Sequence, residues 1–258
     1  SSAPTFVVRD TTLPRWADER TLVILISYSG NTRETASMYA SARERGCPMV
    51  IITSGGKLMD VAEREGLDVV KVPPGYQPRA ALGHLLGSAA CIVESVGLAP
   101  MASDIRAFLP SLETLMQDLL PSSPQARNAA KRIALRLLDT VPFVYAPRPM
   151  RSAATRWQTQ INENSKMLCL SGEVPEMDHN QIVGWIDGAR DGRNRPVMLL
   201  PRSGGYMALD LMRATIELFD DHDIDTVVAD LEGASPLESA LHGIMLGDFV
   251  SYYLAILR

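Results

Sequence analysis

The first part of the chain alternates short apolar, β-branched runs with longer stretches in which apolar residues recur at helical spacing. The runs TFVV, TLVILIS, MVIIT and VVKV predict strands, and the stretches at about 32–45 and 58–65 predict helices between them. Strands and helices that alternate in this way form parallel sheets with helices on both faces. The pattern therefore predicts an α/β fold.

The same alternation returns in the second half of the chain, after a different central section. Residues 80–120 have a helical pattern with breaks at 97–100 and at Pro110, and PSSP at 121–124 is the best linker candidate. Further helices are predicted at about 126–138, 153–162 and 207–219 and from Pro236, between the runs VPFVYA, RPVMLL and DTVVAD. We predict two related doubly wound subdomains, 1–121 and 122–258.

A short internal similarity agrees with two related halves. The segments ITSGGKLMDVA and LPRSGGYMALDLM both run from a β-rich stretch through Ser-Gly-Gly into a predicted helix. We interpret them as equivalent strand-to-helix turns.

Composition narrows the classes of partner. The 258 residues are 46% hydrophobic and 21% charged, which is typical of a soluble globular protein with a sizeable core. A formal net charge of −5 disfavours a broad surface for nucleic acid or anionic lipid, so any phosphate must be held locally. No apolar run approaches the roughly 20 residues that cross a bilayer. The three widely spaced cysteines are interpreted as reduced core residues of a cytoplasmic protein.

The segment SYSGNT carries the first candidate chemistry. It follows the apolar run TLVILI, and Gly30 permits a tight turn before the helix that starts near Thr32. A helix N-terminus offers backbone N–H groups and a positive dipole end, and the hydroxyls of Ser27, Ser29 and Thr32 add donors that suit a phosphate. The alternative is an ordinary capped helix start, and the local pattern leaves both interpretations open.

Several separated motifs together resemble one enzyme family. SYSGNT resembles the sugar-phosphate loop of sugar isomerase (SIS) domains. PRAAL from Pro78, INENSK from Ile161 and EVPEMDHNQIVGW from Glu173 occur in the order found in bifunctional phosphoglucose/phosphomannose isomerases, a branch of the phosphoglucose isomerase superfamily. The resemblance spans about 5–258. It implies two three-layer α/β/α SIS subdomains with parallel sheets, and interconversion of glucose 6-phosphate and fructose 6-phosphate through a cis-enediol. It leaves open whether mannose 6-phosphate is also a substrate.

The resemblance also implies roles for individual residues. Glu163 matches the family's base, which moves the proton between carbons, and Arg79 matches the arginine that stabilises the enediolate. His179 matches the histidine that assists ring opening and comes from the neighbouring subunit, which implies a homodimer. The serine and threonine hydroxyls of SYSGNT match the phosphate ligands. The chemistry requires no metal or other cofactor.

Each of these residues has a structural alternative. Glu163 could be a solvated glutamate paired with Lys166 at i+3, and His179 could be a loop or capping residue. Arg79 could form an ion pair at the start of the helix from Ala80, although a cation there opposes the helix dipole. The residues alone favour the structural interpretation of Glu163, and the resemblance favours the catalytic one.

The sequence departs from the family in two places. The family begins with a strand and a glycine-rich loop, whereas TFVVRD aligns best with the second strand, so the first subdomain is expected to lack its initial strand–helix unit. A lysine in the family's last helix assists ring opening, and Tyr253 fills its position here. These departures leave an alternative function open, a non-catalytic sugar-phosphate-binding SIS protein that acts as a sensor or regulator.

Overall fold

The computed structural model describes residues 3–188, 192–202 and 207–258. The described residues form two compact units, 3–106 and 107–258. Unit 1 contains β1 (Val23–Ile26), α1 (Arg33–Glu44), β2 (Met49–Thr53), α2 (Gly56–Glu65), β3 (Asp68–Lys71), α3 (Leu82–Ser95) and the start of α4 (Met101–Leu119). Unit 2 contains α5 (Ala129–Leu137), β4 (Val141–Pro147), α6 (Arg151–Gln160), β5 (Leu170–Val174), α7 (Glu176–Asn180), α8 (Ile182–Gly188), β6 (Asn194–Pro201), α9 (Met207–Asp221), β7 (Val227–Leu231) and α10 (Pro236–Leu257). The predicted boundary at 121/122 stays a prediction.

Unit 1 is built on a parallel sheet in the order β1-β2-β3. Alternate residues of β2 point to opposite faces. Ile51 packs into a core with Met38 of α1 and Leu58 of α2, whereas Ile52 packs with Ile92 of α3 on the other face. The unit therefore has three layers, as the alternation of strands and helices predicts.

Unit 2 is built on a parallel sheet in the order β5-β4-β6-β7. On one face Val144 of β4 shares a core with residues of α5, α6 and α10. On the other face the neighbouring Tyr145 shares a core with Trp185 of α8 and Phe219 of α9. This three-layer α/β/α arrangement confirms the predicted fold class.

Three local predictions need correction. TFVV is not a strand: Phe6 and Val7 are exposed, and Phe6 packs on the ring of Trp16 instead of pairing with the described sheet. Pro110 does not break the central helix, because α4 continues through it and buries Leu112. The strand β5 was not predicted, since LSGEV has no apolar or alternating pattern.

The two Ser-Gly-Gly segments can be compared only in part. The first lies between β2 and α2, as expected for a strand-to-helix turn. The Ser-Gly-Gly of the second, at 203–205, lies outside the described residues. The proposed equivalence of the two turns therefore stays a prediction.

The helix α10 is long and apolar enough to cross a membrane by length and composition, although Glu238, His242 and Asp248 interrupt its apolar run. It has 22 residues, and its most apolar window has a mean hydropathy of 1.4. In unit 2, however, 56% of that window is buried, and Leu246, Val250 and Leu254 belong to the main core. Its apolar composition is that of a core helix.

The cysteines are free thiols, but only two of them lie in the core. Cys47 and Cys169 are buried, and Cys91 is exposed on α3, contrary to the sequence interpretation. Burial raises the pKa of the Cys169 thiol to about 12, so this group is unreactive near neutral pH.

A close contact between α6 and α10 organises unit 2. The indole of Trp157 on α6 is fully buried and donates its Nε1–H to the carbonyl oxygen of Gly243 at 2.6 Å. One turn further along α10, Gly247 faces the same indole ring, and a Cβ at this position would overlap the ring. The glycine therefore allows the two helices to approach each other.

We expect Gly247→Ala to lower the free energy of unfolding by about 1–3 kcal/mol, because the methyl group overpacks the Trp157 contact. Urea unfolding measures the change. Gly184→Ala on α8 is the matched control, since a Cβ there meets no atom within 4 Å. The control is expected to be neutral or to stabilise by up to about 1 kcal/mol through helix propensity. Equal stability of Gly247→Ala and wild type would contradict this view of the contact.

Candidate active site

The predicted phosphate turn lies between β1 and α1. Ser27 is buried, its Oγ lies 2.7 Å from Oγ1 of Thr32, and its carbonyl oxygen accepts a hydrogen bond from the N–H of Gly30 at 3.1 Å. Thr32 is the N-cap residue of α1 but makes no side-chain capping bond. The hydroxyl of Thr32 is therefore not used to cap the helix, and both Ser29 and Thr32 are exposed.

The turn is held by the segment that follows β2. Gly30 has φ of 66°, and a Cβ on it would overlap the carbonyl oxygen of Gly55. The Oδ1 atom of Asn31 accepts a hydrogen bond from the N–H of Lys57 at 3.2 Å, and the Ser54 hydroxyl donates to the carbonyl oxygen of Tyr28 at 2.6 Å. Asn31 of SYSGNT therefore holds the turn to the start of α2.

Arg79 lies in a 3₁₀ turn, Pro78–Ala80, between β3 and α3, and is half-buried. The hydroxyl of Tyr28 donates to the carbonyl oxygen of Pro73 at 2.9 Å and accepts from the N–H of Tyr76 at 2.9 Å. Tyr28 therefore fastens the segment leading to Arg79 beside the hydroxyl turn. Both segments follow carboxyl ends of parallel strands, which is where open α/β sheets bind ligands.

Glu163 lies in a π-helical segment, Ile161–Ser165, that extends α6. Short π-helical segments are rare and occur often at functional sites. The Glu163 side chain is exposed, whereas Ile161 and Ser165 on either side are buried. The single chain therefore leaves this carboxylate in contact with water.

The neighbours of Glu163 fix its backbone from two directions. Oδ1 of Asn162 accepts a hydrogen bond from the N–H of Cys169 at 2.8 Å, just before β5. Asn164 donates to Oγ of Ser251 at 3.0 Å, and the Ser165 hydroxyl donates to the carbonyl oxygen of Ser251 at 2.8 Å. The two asparagines of INENSK, on either side of Glu163, are the feature of the sequence that could have indicated these contacts.

His179 is exposed on α7, which follows β5. The preceding residue, Asp178, accepts a hydrogen bond from the Thr215 hydroxyl of α9 at 2.9 Å. Burial raises the pKa of Asp178, and the Thr215 hydrogen bond and the nearby His179 oppose that shift. Met177 is fully buried, so α7 is anchored by the two residues that precede its exposed histidine.

Within one chain, β5 separates Glu163 from His179. Asn162 contacts Cys169 at the amino end of β5, and α7 begins two residues after its carboxyl end. Four steps of about 3.3 Å along this strand give a separation of about 13 Å before the flanking segments are counted. Unit 2 therefore holds the predicted base and the predicted ring-opening group beyond opposite ends of its edge strand β5.

Tyr253, which aligns with the family's lysine, is part of the core. It is 6% exposed, its hydroxyl donates to the carbonyl oxygen of Leu119 at 2.5 Å, and it accepts from Nδ2 of Asn128 at 3.3 Å. Burial raises the pKa of the Tyr253 phenol above its ordinary value. Tyr253 is therefore a packing residue and does not replace the lysine chemically.

No group of three or more His, Cys, Asp or Glu side chains within residues 3–188, 192–202 and 207–258 is arranged to hold a metal ion. The candidate residues in unit 1 are hydroxyls and a guanidinium, and those in unit 2 are a carboxylate and an imidazole. This set can bind an anion and transfer protons.

Comparisons with known proteins show which family the chain resembles. Residues 126–258 match the family described as the bacterial phospho-glucose isomerase C-terminal SIS domain, and residues 9–67 match the SIS domain family. The chain is 34% identical over 252 residues to the bifunctional phosphoglucose/phosphomannose isomerase of Aquifex aeolicus, which covers 98% of this chain and 75% of that protein. It is 35% identical over 262 residues to the protein of the same name from Caldicellulosiruptor bescii, covering 98% of this chain and 76% of the relative.

A solved structure agrees on the fold. A glucose-6-phosphate isomerase like protein from Thermus thermophilus superimposes with a TM-score of 0.60 at 19% identity, over 95% of this chain and 83% of that one.

Proposed function

The chain belongs to the family of bifunctional phosphoglucose/phosphomannose isomerases, and from this premise we propose that it interconverts glucose 6-phosphate and fructose 6-phosphate through a cis-enediol. It is an enzyme of the SIS type. The observation that carries the proposal is the uncapped hydroxyl turn at the N-terminus of α1. A turn whose hydroxyl groups do not cap their own helix is suited to bind a phosphate dianion.

The phosphate group binds to the hydroxyl turn. Ser29 and Thr32 are exposed there, and the buried Ser27 fixes Thr32 through the 2.7 Å contact between their oxygens. The N-terminus of α1 adds a positive dipole end, so the site recognises an anion although the chain has a net charge of −5.

Glu163 moves the proton. Its carboxylate takes the proton from C2 of the open-chain aldose, and the electron pair of that C–H bond forms the C1–C2 double bond of the enediolate. The aldehyde oxygen O1 takes up the negative charge and then receives the hydroxyl proton of O2. The same carboxyl group returns a proton to C1 as the C2–O2 carbonyl forms, which gives the ketose. Arg79 stabilises the negative oxygen, since a guanidinium is always charged and offers several donors.

The surroundings of the carboxylate change when the substrate and a second subunit bind. Glu163 is exposed in the single chain. A bound sugar and a second subunit would exclude water from this region, and a desolvated carboxylate is a stronger base. A carboxyl group in such surroundings can both accept and return the proton.

His179 acts in the site of a second copy of the chain. The separation of Glu163 and His179 along β5 supports this, because their segments lie at opposite ends of the strand, about 13 Å apart before the flanking residues are counted. A twofold dimer would bring each exposed histidine to the partner's glutamate. The imidazole then transfers a proton to or from the ring oxygen.

Mannose 6-phosphate is the second aldose in this proposal. The cis-enediol has no stereocentre at C2, so return of the proton to that carbon can give either epimer.

The cytoplasm is the proposed compartment, in keeping with the free thiols among the described residues.

We expect Glu163→Gln to lower kcat for fructose 6-phosphate about 10³-fold, because the amide cannot accept the proton. KM should change little. A coupled assay that oxidises the glucose 6-phosphate formed measures both constants. The matched control is Glu113→Gln, an exposed glutamate on α4 in the same unit, which should behave as wild type. Turnover by Glu163→Gln within about threefold of wild type would refute the assignment of the base.

We also expect activity to depend on dimer formation. Dilution below the dissociation constant of the dimer should lower the specific activity in proportion to the monomer fraction, because each site would lose its histidine. Sedimentation velocity at the assay concentrations gives that fraction. A monomer with full specific activity would contradict the shared site.

A further inference from the structure

We propose that Lys166 and Arg258 are positioning residues for Glu163, a role that rests on the function proposed above. The two side chains, here called the cation clamp, bind the backbone at the end of the π-helical segment that carries the carboxylate. The clamp acts on the orientation of Glu163 and does not contact the sugar.

Three hydrogen bonds define the clamp. Nζ of Lys166 donates to the carbonyl oxygen of Glu163 at 2.6 Å. Nη1 of Arg258, directly after α10, donates to the carbonyl oxygens of Ser165 at 3.0 Å and of Lys166 at 2.9 Å. Carbonyl groups at a helix end lack partners within the helix, and cations there are favoured by the helix dipole.

The backbone of Lys166 gives a second, independent reason for the proposal. Its φ is 56°, in the left-handed region that glycine usually occupies at a helix C-terminus. A lysine in this conformation is strained relative to glycine, and what it adds is the side chain that reaches back to Glu163. Asp139, with φ of 61°, lines the same cavity of about 270 Å³ as Lys166 and Arg258, so non-glycine residues in this rare conformation gather beside the segment.

The clamp completes the fixation of the π-helical segment. Asn162 holds it near β5 and Ser165 holds it to α10, but both bonds are made by side chains next to Glu163. Within the clamp, Lys166 binds the carbonyl oxygen of Glu163 itself. Displacement of a catalytic group by about 1 Å can lower a rate about 10²-fold, so loss of the clamp should lower kcat and leave substrate binding intact.

The experiment compares Lys166→Met and Arg258→Gln with wild type in the fructose 6-phosphate assay. We expect each variant to lower kcat at least about 10-fold with KM within about twofold, and Lys166→Arg to restore most of kcat. Lys131→Met is the matched control, since Nζ of Lys131 also donates to backbone carbonyls, those of Pro121 at 2.8 Å and Ser123 at 2.7 Å. This control should retain wild-type kcat.

A double variant tests whether the clamp acts through Glu163. Adding Lys166→Met to Glu163→Gln should produce no further loss, because the group that the lysine positions is already disabled. Thermal unfolding of every variant checks the fold, and Arg258→Gln, which is exposed, serves if Lys166→Met does not fold.

The outcomes separate the two proposals. Wild-type activity that requires Glu163 but not the clamp would overturn the inference alone. An increase in KM with unchanged kcat would also overturn it, since it would assign the cations to substrate binding. No isomerase activity in the wild type would overturn both the proposed function and the positioning role.

Discussion

The strand β5 is the constraint on which this account depends. It runs parallel to β4 along five paired positions, with the segment of Glu163 fastened at its amino end and α7 with His179 at its carboxyl end. Parallel pairing fixes the direction of the strand, so the two segments are held at its opposite ends. This separation is the structural support for the proposal that the site draws on two copies of the chain.

Packing between α6 and α10 holds the segment of Glu163 in place and leaves the Glu163 side chain exposed. The close approach of α6 and α10 at Gly247 brings Ser251 within hydrogen-bonding distance of the π-helical segment. Widening of the helix at 161–165 then turns Glu163 outward while its neighbours Ile161 and Ser165 remain buried. In unit 1 the hydroxyl turn is fixed in a similar way. Gly30 lies close against the carbonyl oxygen of Gly55, and the side chains of Asn31 and Ser54 form hydrogen bonds that hold the turn.

Much of the fold could be predicted because apolar periodicity reports which faces are buried. The runs VILI and MVIIT are strands, and SYSGNT lies between a strand and a helix as expected. The strand β5 could not be predicted from its own residues, since LSGEV owes its conformation to pairing with β4. The prediction of a strand at TFVV was wrong for the converse reason, because a β-prone run forms no strand without a neighbouring strand to pair with.

The sequence predicted the residue types of the candidate site, which stay predictions, and it did not predict their geometry. The sequence indicated hydroxyls, a guanidinium, a carboxylate and an imidazole, but it contained no signal for the π-helical conformation at Glu163. The sequence placed Tyr253 at the position of the family's lysine, and only the structure shows that its hydroxyl is used within the core. Such details depend on contacts between segments far apart in the chain, which local patterns do not report.

The most direct test of the shared site mixes two inactive variants, Glu163→Gln and His179→Asn, by coexpression with different affinity tags. A heterodimer of these chains has one site with both groups altered and one with both intact. Random pairing should therefore restore about a quarter of the wild-type activity per chain. If purified heterodimers form but remain as inactive as their parents, the base and the imidazole act from the same chain and the account is wrong.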